Sequence, residues 1–342
     1  MTLRLRVGRE DWGGSTEKAA IDKAAAILRA GGTVAIPTET VYGLGANALD
    51  AVAVAKIFQA KERPSWDPLI VHVADEAMLQ QVVAEISPTA RRLIEAYWPG
   101  PLTLLLPRSA AIPDVVTAGR PLVGVRMPAH PVARALIAQA GVPVAAPSAN
   151  RFGATSPTTA EHVLEDLDGR IDAVVDGGPA EFGVESTVLD PNCVPLTIYR
   201  PGAVTREQIT ALAGETVYFK EPAALVDEPR EALPSPGVGL RHYAPRARLE
   251  LFHPPEAVPE FAGKVVGLMR AEGVPGATEG ARYAAVYPWG RWNHPEELAQ
   301  RLFAGLRYLD GMGCEVIVCP VPEGEGIAEA IRDRLRKAAW RE

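Results

Sequence analysis

A chain of 342 residues with 47% hydrophobic and 23% charged residues has globular composition and is long enough for one large domain or two ordinary ones. No apolar run approaches the ~20 residues that span a bilayer, which disfavours a membrane-spanning helix, and composition of this kind disfavours disorder. The net charge of −7 shows no asymmetry between the halves; it lacks the basic excess of an obligate nucleic-acid binder and favours small anionic ligands.

Taken in order, Ser15 to Arg29 (STEKAAIDKAAAILR) reads as an amphipathic helix. Ser15 or Thr16 caps its start, Ile21, Ala24, Ala25 and Leu28 make the apolar stripe, and Gly31 ends it. Thr33–Ile36 is a buried strand that runs into a hydroxyl- and glycine-rich turn, Pro37–Thr40 and Gly43–Gly45. A helix from about Asp50 to Ala60 follows, closed by Lys61, Arg63 and Pro64, and a second strand, Leu69–Val73, carries His72. Ser87-Pro88 opens another helix, which Trp98-Pro99-Gly100 closes. Leu102–Leu106 and Val123–Met127 are strand-length; in the second, Gly124 and Arg126 share a face opposite Val123 and Val125. His130–Ala140 is helical, and Val142–Ala146 is a strand ending in a second hydroxyl-bearing turn, Pro147-Ser148-Ala149-Asn150. Thr158 and Glu161 form a capping-box pattern ahead of EHVLEDL; AVVDGG, STVLD and LTIYRPG then read as strands joined by tight turns.

Glu221 to Pro245 is proline-rich without helical or strand period, so it reads as a semi-rigid linker, longer than a compact domain tolerates without a purpose. After it, RLELF, KVVGLM, YAAVY and CEVIVCPV are strand-like, and PEELAQRLFAGLRYLDGM and GIAEAIRDRLRKAAW are amphipathic helices. The expected organisation is therefore an α/β (α+β) domain over 1–220, a linker over 221–245, and a small Rossmann-like α/β domain over 246–342. Three cysteines (Cys193, Cys314, Cys319) without a CxxC indicate neither a disulfide framework nor a zinc site. The start, MTLRLRVGRED, has no apolar h-region, so the expected location is the cytoplasm.

Residues 31–72 concentrate what an anion site requires: small backbone, hydroxyls, two cations and an imidazole at the edge of packed elements. Gly43–Ala48 formally satisfies GxGxxA. Six residues part it from the strand, however, and no acidic strand end stands where a ribose contact needs one, so the dinucleotide reading is rejected. Lys61 and Arg63 either complement the end of the preceding helix dipole or, with Ser148 and Asn150, hold phosphates. Arg126, beside a glycine on a strand, is expected either in a buried ion pair or at the site. His72 has the position of a satisfied core histidine.

These motifs together resemble the YrdC-type threonylcarbamoyl-adenylate synthases in their longer, two-domain form. The matching pieces are PTETVYGLGA (Pro37–Ala46), KERPSWDPLIVH (Lys61–His72), GVRMP (Gly124–Pro128), APSAN (Ala146–Asn150), ATSPT (Ala154–Thr158), ESTVLD (Glu185–Asp190), YRPG (Tyr199–Gly202) and RHYAP (Arg241–Pro245). The resemblance implies a twisted-sheet catalytic domain and a nucleotidyltransferase that joins ATP, L-threonine and bicarbonate into threonylcarbamoyl-AMP with release of pyrophosphate. It implies L-threonine binding at Thr40, His72, Arg126, Ala146 (through its backbone) and Ser186. ATP binding is implied at Lys61, Arg63, Asp67, Ser148, Asn150, Ser156, Arg200 and Tyr243, with Lys61, Arg63 and Arg126 catalytic. Mg2+ is expected with ATP rather than in a protein metal site. Downstream threonylcarbamoyl transferases acting on the tRNA adenosine next to the anticodon are the implied partners, with at most a weak tRNA contact. Asp67 departs from the family, which commonly has Asn there. A second reading, an RNA-binding or translation-associated module without chemistry, is disfavoured by the acidic charge and the absence of stacked-aromatic RNA motifs.

Overall fold

Strands buried on both faces read as continuous apolar runs, and the Val34–Ile36 and Ile70–His72 segments are buried at every residue. The structure, a computed structural model, describes residues 1–8, 14–220, 233, 235, 242–256, 261–275 and 283–340. Most of the 221–245 linker, Arg241 of RHYAP included, lies outside the described residues.

Among them, strands β1 (Leu3–Arg6), β2 (Val34–Ile36), β3 (Gly43–Asn47), β4 (Ile70–His72), β5 (Leu102–Pro107), β6 (Leu122–Arg126), β7 (Val144–Ala145), β8 (Ala173–Asp176), β9 (Thr187–Asp190), β10 (Leu196–Arg200) and β11 (Thr216–Tyr218) form one mixed sheet. Their order is β1-β8-β2-β3-β7-β4-β6-β5-β9-β10-β11. Helices α1 (Ser15–Arg29), α2 (Ala51–Lys61), α3 (Glu76–Val82), α4 (Pro88–Tyr97), α5 (Asp114–Thr117), α6 (Pro131–Ala140), α7 (Ala160–Leu167) and α8 (Arg206–Ala213) accompany it. A second sheet of β12 (Arg248–Phe252), β13 (Val266–Glu272), β14 (Ala285–Arg291) and β15 (Val316–Pro320) is parallel throughout, in the order β12-β15-β13-β14. Helices α9 (Pro295–Gly311) and α10 (Ile327–Ala339) belong with it.

Three local expectations are corrected. The glycine-rich Gly43–Asn47 stretch is a strand, antiparallel to β2, rather than part of a turn. Its glycines serve packing: a Cβ on Gly45 would lie 2.7 Å from the Val144 side chain. The N-cap of α1 is Gly14, whose N–H donates to the Glu17 carboxylate at 2.8 Å, so neither Ser15 nor Thr16 caps it. Thr159, not Thr158, caps α7, accepting from the His162 N–H.

Each sheet has its own core. Leu28, Ile36, Leu44, Ile57, Val71 and Leu104 belong to the first. The second, built on Trp289, Phe303, Leu306 and Ile331, also takes in Val41, Val184 and Tyr243, which come from the first sheet's loops and the linker's end. Close approach at this seam is possible because Gly183 has φ +70 and no side chain; a Cβ there would lie 2.5 Å from the Gln300 backbone on α9.

Candidate active site

Parallel pairing of β4 with β6 sets His72 directly beside Arg126. The turn after β7 folds back so that Ser148 bridges Gly43 of β3, and the loop before β9 delivers Glu185 and Ser186. These segments close on one cavity lined by Thr38, Thr40, Arg63, His72, Arg126, Ala146, Ser148, Glu185, Ser186, Arg200, His242 and Tyr243, among others. Thus nine residues expected at the site share one cavity: Thr40, Arg63, His72, Arg126, Ala146, Ser148, Ser186, Arg200 and Tyr243. Lys61, Asp67, Asn150 and Ser156 do not line it; they form the layer that supports it.

Arg126 is held from three sides. Its Nε donates to the Gly100 carbonyl at 3.1 Å, one Nη to Thr40 Oγ1 at 2.8 Å, and the other lies 2.6 Å from Glu39 Oε1. That last contact is a buried ion pair. Burial pushes the Glu39 carboxyl up, but the Arg126 charge and the Ala129 N–H outweigh it and hold it below the usual carboxylate range. Glu39 is a residue that sequence reasoning passed over; a carboxylate inside a hydroxyl-rich motif was the available signal.

Burial, reinforced by the Arg126 charge, depresses the His72 imidazole to about 3, so it is neutral at any physiological pH. Its Nδ1 has no partner among the described residues. Arg63 meets Asp67 at 2.8 Å with both side chains buried, and also donates to the Asp67 and Pro68 carbonyls. Burial pushes the Asp67 carboxyl up and the arginine down. Arginine stays protonated in proteins, so Asp67 has a lasting cationic partner in Arg63.

Lys61 does more than end α2. Its ammonium is buried and donates to the Ser148 carbonyl at 2.6 Å and to the Asn150 carbonyl, pinning the turn that presents Ser148. Burial lowers its pKa well below the ordinary lysine value. The Asn150 amide donates to the Arg151 and Ala154 carbonyls, and the Ser156 hydroxyl donates to Glu185. Arg200 donates to the Ser186 carbonyl at 3.0 Å and hydroxyl at 3.1 Å, and Ser186 is also bonded to Thr103. No carboxylate pairs with Arg200 among the described residues, so it is the cavity arginine whose charge is least compensated.

Tyr243, at φ +64, lines the cavity from the linker's end. Its ring stacks on Phe303 of α9 with centroids 5.7 Å apart, and the Arg334 guanidinium of α10 lies 5.2 Å from its centroid. Burial raises its hydroxyl to about 12, and that hydroxyl has no partner among the described residues.

A mixed sheet carrying a cavity lined by three arginines, hydroxyls and a neutral imidazole defines an α/β enzyme for anionic substrates. The chain belongs to the Sua5–YciO–YrdC family: that family's model, described as telomere recombination, matches residues 26–202. A second family model, described as the C-terminal domain of threonylcarbamoyl-AMP synthase, matches residues 204–340. Threonylcarbamoyl-AMP synthase of Bacillus subtilis is 44% identical over 336 residues, covering 95% of this chain and 94% of its own. That of Pyrococcus abyssi is 42% identical over 318 residues, covering 92% and 93%. The crystal structure of P. abyssi Sua5 complexed with L-threonine is similar with a TM-score of 0.87 at 39% identity, covering 99% of this chain and 98% of that one.

Proposed function

We infer that the chain is an L-threonylcarbamoyladenylate synthase, joining L-threonine, bicarbonate and ATP into threonylcarbamoyl-AMP and releasing pyrophosphate. The observation that carries this reading is the convergence of Arg63, Arg126 and Arg200 on one cavity with Thr40, His72, Ser148 and Ser186. L-Threonine binds at Thr40, His72, Arg126, Ser186 and the Ala146 backbone. ATP binds along Arg63, Ser148, Arg200 and Tyr243, with Lys61, Asp67, Asn150 and Ser156 acting through the groups they hold. Mg2+ enters as the counter-ion of ATP.

In this scheme the threonine amine adds to the bicarbonate carbon and water leaves, giving a carbamate. The carbamate oxygen then attacks the α-phosphorus, and the bridging P–O bond breaks with its electron pair departing on pyrophosphate. Both reactants are anions, so positioning and positive charge do most of the work and no protein nucleophile is required. The neutral His72 can orient hydrogen bonds but adds no charge. Carbamates decompose in water, so a wall closed by Tyr243 protects the intermediate.

The division into a catalytic unit (1–220), a lid-like linker (221–245) and an accessory unit (246–342) is part of this proposal. So are the cytoplasmic location, which suits the free thiols of Cys193, Cys314 and Cys319, and transfer of the product to tRNA-modifying threonylcarbamoyl transferases. No helix among the described residues is long and apolar enough to cross a membrane. The test is pyrophosphate release from ATP and bicarbonate with each amino acid in turn. Stimulation selective for L-threonine and dependent on bicarbonate is expected; indifference to the amino acid sinks the assignment.

A further inference from the structure

Glu185 poses a problem for a cavity that takes polyanions. It lies on the wall beside Ser186, Arg200 and Tyr243, and an ionised carboxylate there repels phosphate and carbamate alike. The group that answers it comes from the far end of the chain. Arg334 on α10 has a fully buried side chain; its Nε donates to Glu185 Oε2 at 2.7 Å, and one Nη reaches toward the Glu185 carbonyl at 3.5 Å. Its other Nη donates to Asp333 at 2.7 Å, and Asp333 is in turn paired with Lys337 at 3.0 Å and more distantly with Arg336. The same guanidinium sits against the Tyr243 ring. With Lys337 balancing Asp333, Arg334 is left as the counter-charge of Glu185, whose other oxygen accepts from Ser156.

We propose that Arg334 is a positioning residue of the active site: it neutralises Glu185 and fixes it away from the anionic substrates, so that the second unit sets the cavity's charge. The proposal rests on the synthase reading and assigns the accessory unit a part in ATP affinity. Removing one member of a buried pair leaves the other charge uncompensated, here beside the ATP site. The effect belongs on KM for ATP; loss of a merely structural clamp lowers kcat or the folded fraction and leaves that KM where it was.

The experiment measures steady-state pyrophosphate release by the full chain and by R334Q, R334K and R334Q/E185Q, with thermal melts of each. R334Q is expected to raise the ATP KM by roughly tenfold or more, and R334Q/E185Q, which carries no unpaired charge, to bring it back to within about threefold of the original. R334K keeps the charge and is expected to stay within about threefold, which keeps the test decisive even where R334Q does not fold. An unchanged ATP KM in R334Q overturns the proposal, as does a tenfold rise in R334K or a folded double variant as impaired as R334Q. Failure of the unaltered chain to release pyrophosphate with L-threonine sinks the synthase reading instead, so the two failures are distinct.

Discussion

Each cavity arginine is a compromise between holding itself in place and keeping charge to spare. Arg63 spends its contacts on Asp67 and two carbonyls, and Arg126 on Glu39, Thr40 and Gly100, while Arg200 is fixed by neutral groups alone. His72 has the complementary duty of giving hydrogen-bonding capacity without charge. Its proton affinity is about 3 folded and about 6.5 unfolded, so the unfolded chain binds the proton first as pH falls. The associated stability is therefore complete above pH 6.5 and eroded toward pH 3, a loss of roughly 2 kcal/mol between pH 7 and pH 5 from this residue. His162, depressed to about 4 by burial, and His242, also lowered by burial, act in the same direction. In urea titrations at the two pH values, H72N is expected to lose about 2 kcal/mol less than the unaltered chain. Equal losses show that His72 titrates normally.

At the scale of elements, the site depends on strands and loops that approach more closely than side chains allow. β3 lies flat between β2 and β7 because Gly43 and Gly45 leave room for Ala146 and Val144. The loop carrying Glu185 and Ser186 meets α9 at Gly183, where both the positive φ and the missing Cβ are needed. G183A is expected to destabilise the chain by roughly 2–5 kcal/mol through left-handed backbone strain and overpacking against Gln300. Pyrophosphate release should weaken with it, since Glu185 and Ser186 follow directly. A G183A melt coincident with that of the unaltered chain removes this contact from the account.

Across the whole molecule, the two sheets meet at the cavity rather than beside it. Val41 and Val184 sit in the second core, Tyr243 stacks on α9, Arg307 of α9 pairs with Asp166 at 2.6 Å, and Arg334 pairs with Glu185. A fragment ending at Lys220 exposes the two valines, strips the counter-charge from Glu185 and loses Tyr243. Its rate of pyrophosphate release is expected to fall at least about tenfold, a barrier increase of about 1.4 kcal/mol; a fragment as active as the full chain contradicts the shared-site architecture. The non-catalytic RNA-binding alternative has no use for a cavity that gathers Thr40, His72, Ser148 and Ser186 around three arginines.

Much of this was legible in the residues themselves. Period and turn chemistry placed the α1, α2, β5 and β6 segments and both C-terminal helices, and motif order named the family, because those signals are local in the chain. The strand character of Gly43–Asn47 was not legible, since glycine has low strand propensity and only close packing from β2 and β7 makes it one. Nor could local signals show that Asp67 belongs to Arg63, that Glu39 restrains Arg126, or that Arg334 answers Glu185 across 149 positions of sequence. Periodicity and turn preference act over a few neighbours, whereas the pairing of buried charges is decided when distant segments leave water together. Sequence by itself determined most of the elements and the chemistry they carry; only the tertiary structure decided which charges neutralise one another and which remain free for substrate.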